Sequence, residues 1–301
     1  MEASRKTADT SDEAREARAA VARATAACAA VDRLSGVGLI GLGSGRAVNA
    51  VIAAAGERWP IGPPPLAVCA SRATEERARD AGFVVVDLDE LAARPARGGP
   101  SDWADRRSRR TGARAAGKAA ARSADKAATT TAARNAAGSG ASFAHPLLEL
   151  LVDGADEVDP HLDMLKGGGG ALLRERLVAR AAARRLIVVE DDKLVGALGA
   201  DHRLPVEVVR FAWRQTREQV LELLPAAELR RGDEGRAFVT DEGHYLLDCE
   251  LPDVGGGERL AALAAALKSL PGVVDHGLFL GLADEVLVGH ADGSIDTLQR
   301  S

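Results

Sequence analysis

Apolar positions along the chain gather into short runs separated by amphipathic or polar stretches, and their spacing changes character twice. Residues 12–31 are alanine-rich and predict a helix. They lead into Val37-Gly38-Leu39-Ile40-Gly41-Leu42-Gly43, a short bounded apolar run of the kind that forms a buried strand. Helical pattern returns over 47–55. Runs at 66–70 and 84–88 predict further strands, with a helix over 74–81 between them. Two more strands are expected at 148–153 and 186–190, separated by a helix over 172–183. Strands that alternate with single helices pair in parallel and need helices on both faces, so the fold class is α/β.

After Pro205 the order changes. Residues 205–211 read as a strand, 216–224 as a helix, and 237–240 with 245–251 as a hairpin around Asp241-Glu242-Gly243. A helix over 258–269 and a strand over 273–280 follow. Strand, helix, strand, strand, helix, strand is the ferredoxin-like α+β plan. The run 285–289 is expected to return to the first sheet. The predicted organisation is thus a disordered tail over 1–11, a parallel-sheet domain from 12–203 and 281–301, and a smaller ferredoxin-like domain over 204–280.

Residues 93–142 fit neither unit, being rich in Ala, Arg, Ser, Thr and Gly with almost no large apolar side chains. Between Ser101 and Ser142 nine Lys/Arg face three Asp, a local net of +6. Such a patch can touch nucleic acid or an acidic partner. A stretch with so little apolar surface cannot offset its ordering entropy, so the expectation is a solvated, disordered insertion without chemistry of its own.

Composition narrows the function classes. At 301 residues the chain is long enough for two modest lobes. Its apolar fraction of 46% and charged fraction of 28% exclude a mainly disordered, collagenous or disulfide-stapled chain. A net charge of −5 and only nine aromatic residues argue against a dedicated nucleic-acid binder, so no nucleic-acid partner is expected. Cys28, Cys69 and Cys249 are far apart, with no metal-ligand spacing, which points to a reducing compartment. Residues 1–18 lack the apolar core of a secretory signal, and no apolar run approaches the ~20 residues that cross a bilayer. The expected protein is soluble and cytoplasmic, with no membrane partner.

Two glycine-rich turns carry the candidate chemistry. The first, Gly41-Leu42-Gly43-Ser44-Gly45-Arg46, follows a strand and precedes a helix. Glycines there let backbone N–H groups and the helix N-terminus approach an anion. Alone it fits a tight turn without ligand as well as a phosphate site, since it is neither a dinucleotide fingerprint nor a P-loop. The second is more unusual: Asp153-Gly154-Ala155-Asp156-Glu157, then Lys166-Gly167-Gly168-Gly169-Gly170, then Glu175. The acids should sit at the carboxyl end of a strand, where open α/β sheets bind ligands. Four consecutive glycines are costly in backbone entropy, so the run points to backbone approaching a ligand closely.

Singly, each of these features has a plain explanation: an acidic turn, a surface lysine, a helix acid. Jointly, within 23 positions, they form a set with specific chemistry. A carboxylate can remove a proton from carbon next to a carbonyl. A lysine and backbone N–H groups can hold the enediolate oxygen that results. Further aspartates can orient hydroxyls and move their protons. Calcium loops also use such acids, but space their oxygens differently and rarely include a lysine.

These same stretches resemble the signature of the type A ribose-5-phosphate isomerases. The likeness runs from Gly41–Gly45 through Asp153–Glu157, Lys166–Gly170 and Glu175 to 186–193, Pro205-Val206-Glu207-Val208 and 271–279. It implies a Rossmann-like parallel-sheet domain with a ferredoxin-like one. It implies interconversion of D-ribose 5-phosphate and D-ribulose 5-phosphate through a cis-enediolate, in the non-oxidative pentose phosphate pathway, with no metal and no organic cofactor. By the same resemblance Glu175 is the general base and Lys166 holds the enediolate oxygen. Asp153 serves ring opening and Asp156 holds the sugar hydroxyls. Ser44, Gly45, Arg46, Ala47, Gly154, Ala155, Gly167, Gly168, Gly169 and Lys193 join those four as substrate-binding positions, and a homodimer or higher homo-oligomer is implied.

The chain departs from the pattern in places. A common Gly-Thr-Gly-Ser-Thr loop is here Gly43-Ser44-Gly45-Arg46-Ala47, and Asp-x-Ser-Lys is Glu190-Asp191-Asp192-Lys193. Arg18 or Arg23 stands in for an N-terminal helix lysine. Two other readings remain: a sugar-phosphate-binding regulatory protein without turnover, and an acyl-CoA-transferase-like enzyme, for which no CoA-binding signal is present. A binder would not need the base, so the isomerase reading leads.

Overall fold

Seven strands form the main sheet of the computed structural model, which describes residues 2–58, 65–93 and 146–300. In chain order its strands are β1 (Leu39–Leu42), β2 (Leu66–Cys69), β3 (Val84–Val85), β4 (Leu150–Asp153), β7 (Arg185–Glu190), β13 (Glu285–Gly289) and β14 (Ile295–Gln299). In space the order is β14-β13-β7-β4-β1-β2-β3, parallel throughout except for the antiparallel edge strand β14. The chain therefore runs outward from β1 to β3 and then restarts on the other side of β1 with β4. That reversal opens a crevice beyond the carboxyl ends of β1 and β4, where ligands bind in open parallel sheets.

The strands β1, β4 and β7 are buried along their whole length, as continuous apolar runs covered on both faces should be. One cover is α1 (Glu2–Arg33), whose Ala22, Ala26, Ala27, Ala30 and Val31 are fully buried. The small residues let this helix lie close to the sheet: a Cβ on Gly289 of β13 would come within 2.0 Å of the Ala22 carbonyl oxygen. On the same face lies α2 (Gly45–Arg58), with α3 (Arg72–Asp80) beyond it, while Leu88 and Leu91 of α4 (Leu88–Ala92) pack on the other face. The opposite face is covered by α5 (Leu172–Ala181).

The smaller sheet contains β8 (Leu204–Val208), β9 (Ala227–Leu229), β10 (Tyr245–Cys249) and β11 (Val273–His276), ordered β11-β8-β10-β9 and wholly antiparallel. With α6 (Trp213–Val220) and α7 (Glu258–Ser269) it realises the strand, helix, strand, strand, helix, strand plan. A third sheet of β5 (Glu157–Val158), β6 (Met164–Leu165) and β12 (Leu278–Phe279) joins the two larger ones.

Three local expectations change. The partner of β10 is β9, not 237–240, which makes only a single bridge to Arg231. The turn residues 241–243 do bring Thr240 and His244 together, but the polar loop 230–236 spaces the strand itself ten residues earlier. The expected strand over 273–280 breaks at Gly277, because a Cβ there would lie 2.3 Å from the Lys166 carbonyl; its second half joins β6 instead. Finally, α1 begins at Glu2 rather than after a disordered tail over 1–11. Its first turns mix Ala, Glu, Lys and Arg with Ser, Thr and Asp, and carry no apolar periodicity to read. Beyond Ala93, the low-complexity insertion lies outside the described residues.

Candidate active site

Strand β4 ends at Asp153, which is 1% exposed. Its Oδ1 accepts hydrogen bonds from the backbone N–H of Gly154 (2.8 Å) and of Ser44 (3.2 Å), so both sides of the crevice grip one carboxylate oxygen. Its Oδ2 lies 3.1 Å from Lys166 Nζ. Lys166 leaves β6 and turns inward, 3% exposed, where Nζ also donates to the Gly154 carbonyl at 2.6 Å. The third member, Glu175, sits on the first turn of α5 and is equally buried. Its Oε1 is 3.3 Å from Lys166 Nζ and accepts from the Ser44 hydroxyl at 2.6 Å. Its Oε2 is buried with no hydrogen-bond partner among the described residues.

Two carboxylates and one ammonium thus share a buried volume. Burial pushes the Asp153 carboxyl up to about 7; the Lys166 ammonium pulls against that rise and the Glu175 carboxylate adds to it. Burial also disfavours charge on Lys166. The carboxylates of Asp153, Glu175 and Asp156 outweigh it and hold the lysine above its ordinary value.

Above this cluster opens a cleft of about 140 Å³. Its walls are Ser44, Gly45, Arg46 and Ala47 from the first glycine turn, Gly154, Ala155 and Asp156 from the acidic turn, and Lys166 to Gly169 from the second glycine run. Glu175 and Lys193 complete the set expected from the sequence, and Asp153 alone of that set lies beneath the floor rather than on the wall. Asp156 Oδ2 accepts from the Gly168 N–H at 2.7 Å, which ties the acidic turn to the glycine run.

Most of the glycines have a steric reason. Gly167 and Gly170 have φ of +102° and +86°, in the region that side chains avoid. A Cβ on Gly168 would meet Asp156 Oδ1 at 2.8 Å. Gly169 has neither restriction: a Cβ there would meet nothing nearer than Ser44 Oγ at 3.9 Å. Neither its backbone conformation nor a neighbouring atom requires glycine at 169, which lines the cleft.

Two wall residues were not expected. Glu190, 6% exposed at the end of β7, pairs with Arg23 of α1. His202 reaches the cleft from the loop before β8, its Nδ1 3.3 Å from Glu157 Oε1. Glu190 opens the Glu190-Asp191-Asp192-Lys193 stretch already noted, though not as a site residue; His202 stands far from the signature residues, and no local pattern marks it. Of the two arginines of α1 singled out in the sequence, Arg23 pairs with a wall residue of this cleft, while Arg18 lines a neighbouring pocket with Asp191 and Asp192. Arg46, whose side chain is 63% exposed, pairs with Glu16 Oε2 at 3.1 Å across the cleft mouth. No group of three or more His, Cys, Asp or Glu among the described residues could hold a metal ion.

An α/β fold in which two buried carboxylates share one ammonium beneath a glycine-walled cleft at the sheet's switch point is the arrangement of an enzyme that moves protons on a small ligand. The family described as ribose 5-phosphate isomerase A (phosphoriboisomerase A) matches residues 123–293. Ribose-5-phosphate isomerase A of Rhodopseudomonas palustris (strain TIE-1) is 40% identical over 160 residues, 51% of this chain and 67% of that protein. The Afipia carboxidovorans protein of the same name is 52% identical over 152 residues, 48% of this chain and 63% of that one. Among solved structures, a D-ribose-5-phosphate isomerase in complex with phospho-erythronic acid superimposes with a TM-score of 0.68 at 25% identity, covering 92% of this chain and 97% of the other. Ribose 5-phosphate isomerase from Plasmodium falciparum gives a TM-score of 0.69 at 24% identity, with the same coverage. The chain belongs to the ribose 5-phosphate isomerase A family, and with that family and fold it is a pentose-phosphate isomerase.

Proposed function

We propose that the buried triad of Asp153, Lys166 and Glu175 carries the interconversion of D-ribose 5-phosphate and D-ribulose 5-phosphate through a cis-enediolate. The observation that bears most weight is the placement of Glu175: one carboxylate oxygen is held by Ser44 and Lys166, and the other is free of partners beneath the cleft. In the open-chain aldose, Glu175 takes the proton from C2 as the C1=C2 bond forms and charge moves to O1. The Lys166 ammonium and the N–H groups of the glycine run stabilise that oxygen. A proton passes from O2 to O1, assisted by Asp156, and Glu175 returns its proton to C1 as the C2 carbonyl forms. Electrons and protons balance within the substrate and one carboxylate, so no cofactor is required.

Asp153 opens the furanose ring. Its raised pKa lets it exist in both protonation states near neutrality, as a group must that takes the O1 hydroxyl proton while the ring oxygen gains one. Ser44 to Ala47 and Lys193 are assigned to the substrate, with the amino end of α2 facing the phosphate. A regulatory binder would have no use for a buried base aligned on a lysine, and nothing favours that alternative.

The line from 12–203 with 281–301 to 204–280 is proposed as the division between the two domains, supported by the separate cores of their sheets. The expected cytoplasmic location is supported by three free thiols. No described helix is long and apolar enough to cross a membrane. The homodimer implied by the resemblance is part of the same proposal; Phe211, 88% exposed, is a side chain that a subunit contact would cover.

The test is formation of ribulose 5-phosphate from ribose 5-phosphate by wild type and Glu175→Gln, with and without EDTA. Turnover is expected to survive the chelator. In the variant it should drop by roughly a thousandfold or more, with substrate affinity largely kept, because only the base is lost. Near-normal turnover by the variant would refute the assignment.

A further inference from the structure

The glycine run is gripped from the far side by a residue of the smaller lobe. Arg230 directly follows β9, where its backbone N–H donates to Leu246 O and its own carbonyl accepts from Phe238 N–H. The guanidinium lies on the same sheet face as Asp248, its diagonal neighbour on β10. Nε donates to Asp248 Oδ1 and Oδ2 at 3.1 and 2.9 Å, and Nη2 adds a further bond to Oδ1. The remaining nitrogen, Nη1, donates to two successive carbonyls of the glycine run, Gly167 O at 2.9 Å and Gly168 O at 3.0 Å.

In a trans peptide the C=O and the following N–H point in opposite directions. Holding Gly167 O toward Arg230 therefore turns the Gly168 N–H the other way, and there it meets Asp156 Oδ2 at 2.7 Å. The Gly167–Gly168 peptide is clamped between the two side chains. The next peptide obeys the same rule. With Gly168 O on Arg230, the Gly169 N–H faces away from it, toward the cleft that Gly169 lines. A chain of four glycines has little conformational preference of its own, so the side chain that fixes its carbonyls also fixes its donors.

We propose that Arg230, locked by Asp248, is a positioning residue for the isomerisation: it sets the direction of the Gly169 N–H as a donor to the enediolate and aligns Asp156 with the substrate hydroxyls. This rests on the isomerase reading above. It makes the smaller lobe part of the reaction: neither Arg230 nor Asp248 lines the substrate cleft, and Arg230 acts through the two wall glycines whose carbonyls it holds. Donors aimed in advance at developing charge matter more to the transition state than to the bound sugar, so the effect belongs in kcat.

The experiment compares wild type, Arg230→Gln and Asp248→Asn in steady-state turnover, thermal melting and titration with erythronic acid 4-phosphate, whose planar carboxylate imitates the enediolate. Arg230→Gln should lose roughly 10- to 100-fold in kcat while KM moves less than about threefold. Affinity for the planar acid should fall by a factor similar to that in kcat/KM. Asp248→Asn keeps size and leaves Arg230 in place, so a smaller loss in the same direction is expected, with folding kept. A kcat within twofold of wild type in both variants would overturn the proposal. So would a loss that matches only the unfolded fraction, or one confined to KM with the planar acid bound as before. Failure of wild type itself to turn over would instead refute the isomerase reading, and the titration would still decide whether Arg230 orients the anion site.

Discussion

Gly43 and Asp153 occupy one space: a Cβ built on the glycine would stand 1.8 Å from Asp153 Oδ1. The two residues end adjacent parallel strands, and the Gly43 N–H is bonded to the carbonyl of Val152 at 2.9 Å. Backbone and carboxylate therefore have no slack. Gly43→Ala should displace the Asp153 side chain and cost roughly 1–3 kcal/mol of stability. Turnover should fall by about 100-fold, because misplacement by an ångström has that scale of effect. Activity within threefold of wild type would show that Asp153 need not stand where it does.

Gly169 gives the complementary case. Its φ is not in the left-handed region and a Cβ would find open space, so Gly169→Ala should leave the melting temperature nearly unchanged. The added methyl group would stand in the cleft wall, and KM for the sugar phosphate should rise by roughly tenfold or more. A variant that is less stable yet fully active would mean that the glycine serves folding instead.

Lys166 holds two buried acids apart from mutual repulsion. Lys166→Met keeps the length of the side chain and removes its charge, leaving Asp153 and Glu175 without a cation. The cost should be about 3–5 kcal/mol near neutral pH, the usual penalty for breaking a buried pair. Turnover should be lost with it. Part of the stability should return as the pH falls and the Asp153 carboxyl, already raised by burial, takes up a proton. Melting curves between pH 8 and 5 would show this; a pH-independent deficit would contradict it.

His276 supplies a pH dependence of the opposite sign. It is 5% exposed, and burial, with the Arg176 guanidinium nearby, lowers its pKa from 6.5 to about 4. Its Nδ1 accepts the Leu278 N–H at 3.2 Å, which only the unprotonated nitrogen can do. Below pH 6.5 the unfolded chain takes up a proton that the folded one refuses, so stability is lost as the pH drops from 6.5 toward 4. The difference amounts to about 3 kcal/mol across that window. His276→Asn, which keeps an acceptor near the Nδ1 position, should flatten the pH dependence of stability between pH 7 and 5 by about 2 kcal/mol, the share of the difference that falls in that range. Glu207, raised mainly by burial, works in the other direction in both proteins and so drops out of the comparison. Parallel curves for the two proteins would refute the assignment.

The alternation of strand and helix made the parallel sheet legible before Pro205, and turn glycines marked most strand ends. Where the reading failed, nonlocal geometry was responsible. Nothing near 227–229 marks it as the partner of β10 more clearly than 237–240, because both are short and the intervening loop is polar. The break at Gly277 exists because the Lys166 backbone passes there, 111 positions away in sequence. The opening turns of α1 have mixed helix propensity and no apolar periodicity, so nothing in the pattern marks where the helix begins.

The candidate site divides in the same way. Asp153, Asp156, Lys166, the glycine run and Glu175 lie within 23 positions, and their chemical types with that spacing fixed what the cluster can do. Glu190, His202, Arg23 and Arg230 enter from β7, the loop before β8, α1 and the edge of β9, and only the packing of those elements brings them to the cleft or to the loop that walls it. Sequence by itself determined the reacting groups, because residue type sets charge and proton affinity. Tertiary structure decided their burial, the sharing of one ammonium by two carboxylates and the aim of the backbone donors, since each depends on distances between segments that the chain's order does not contain.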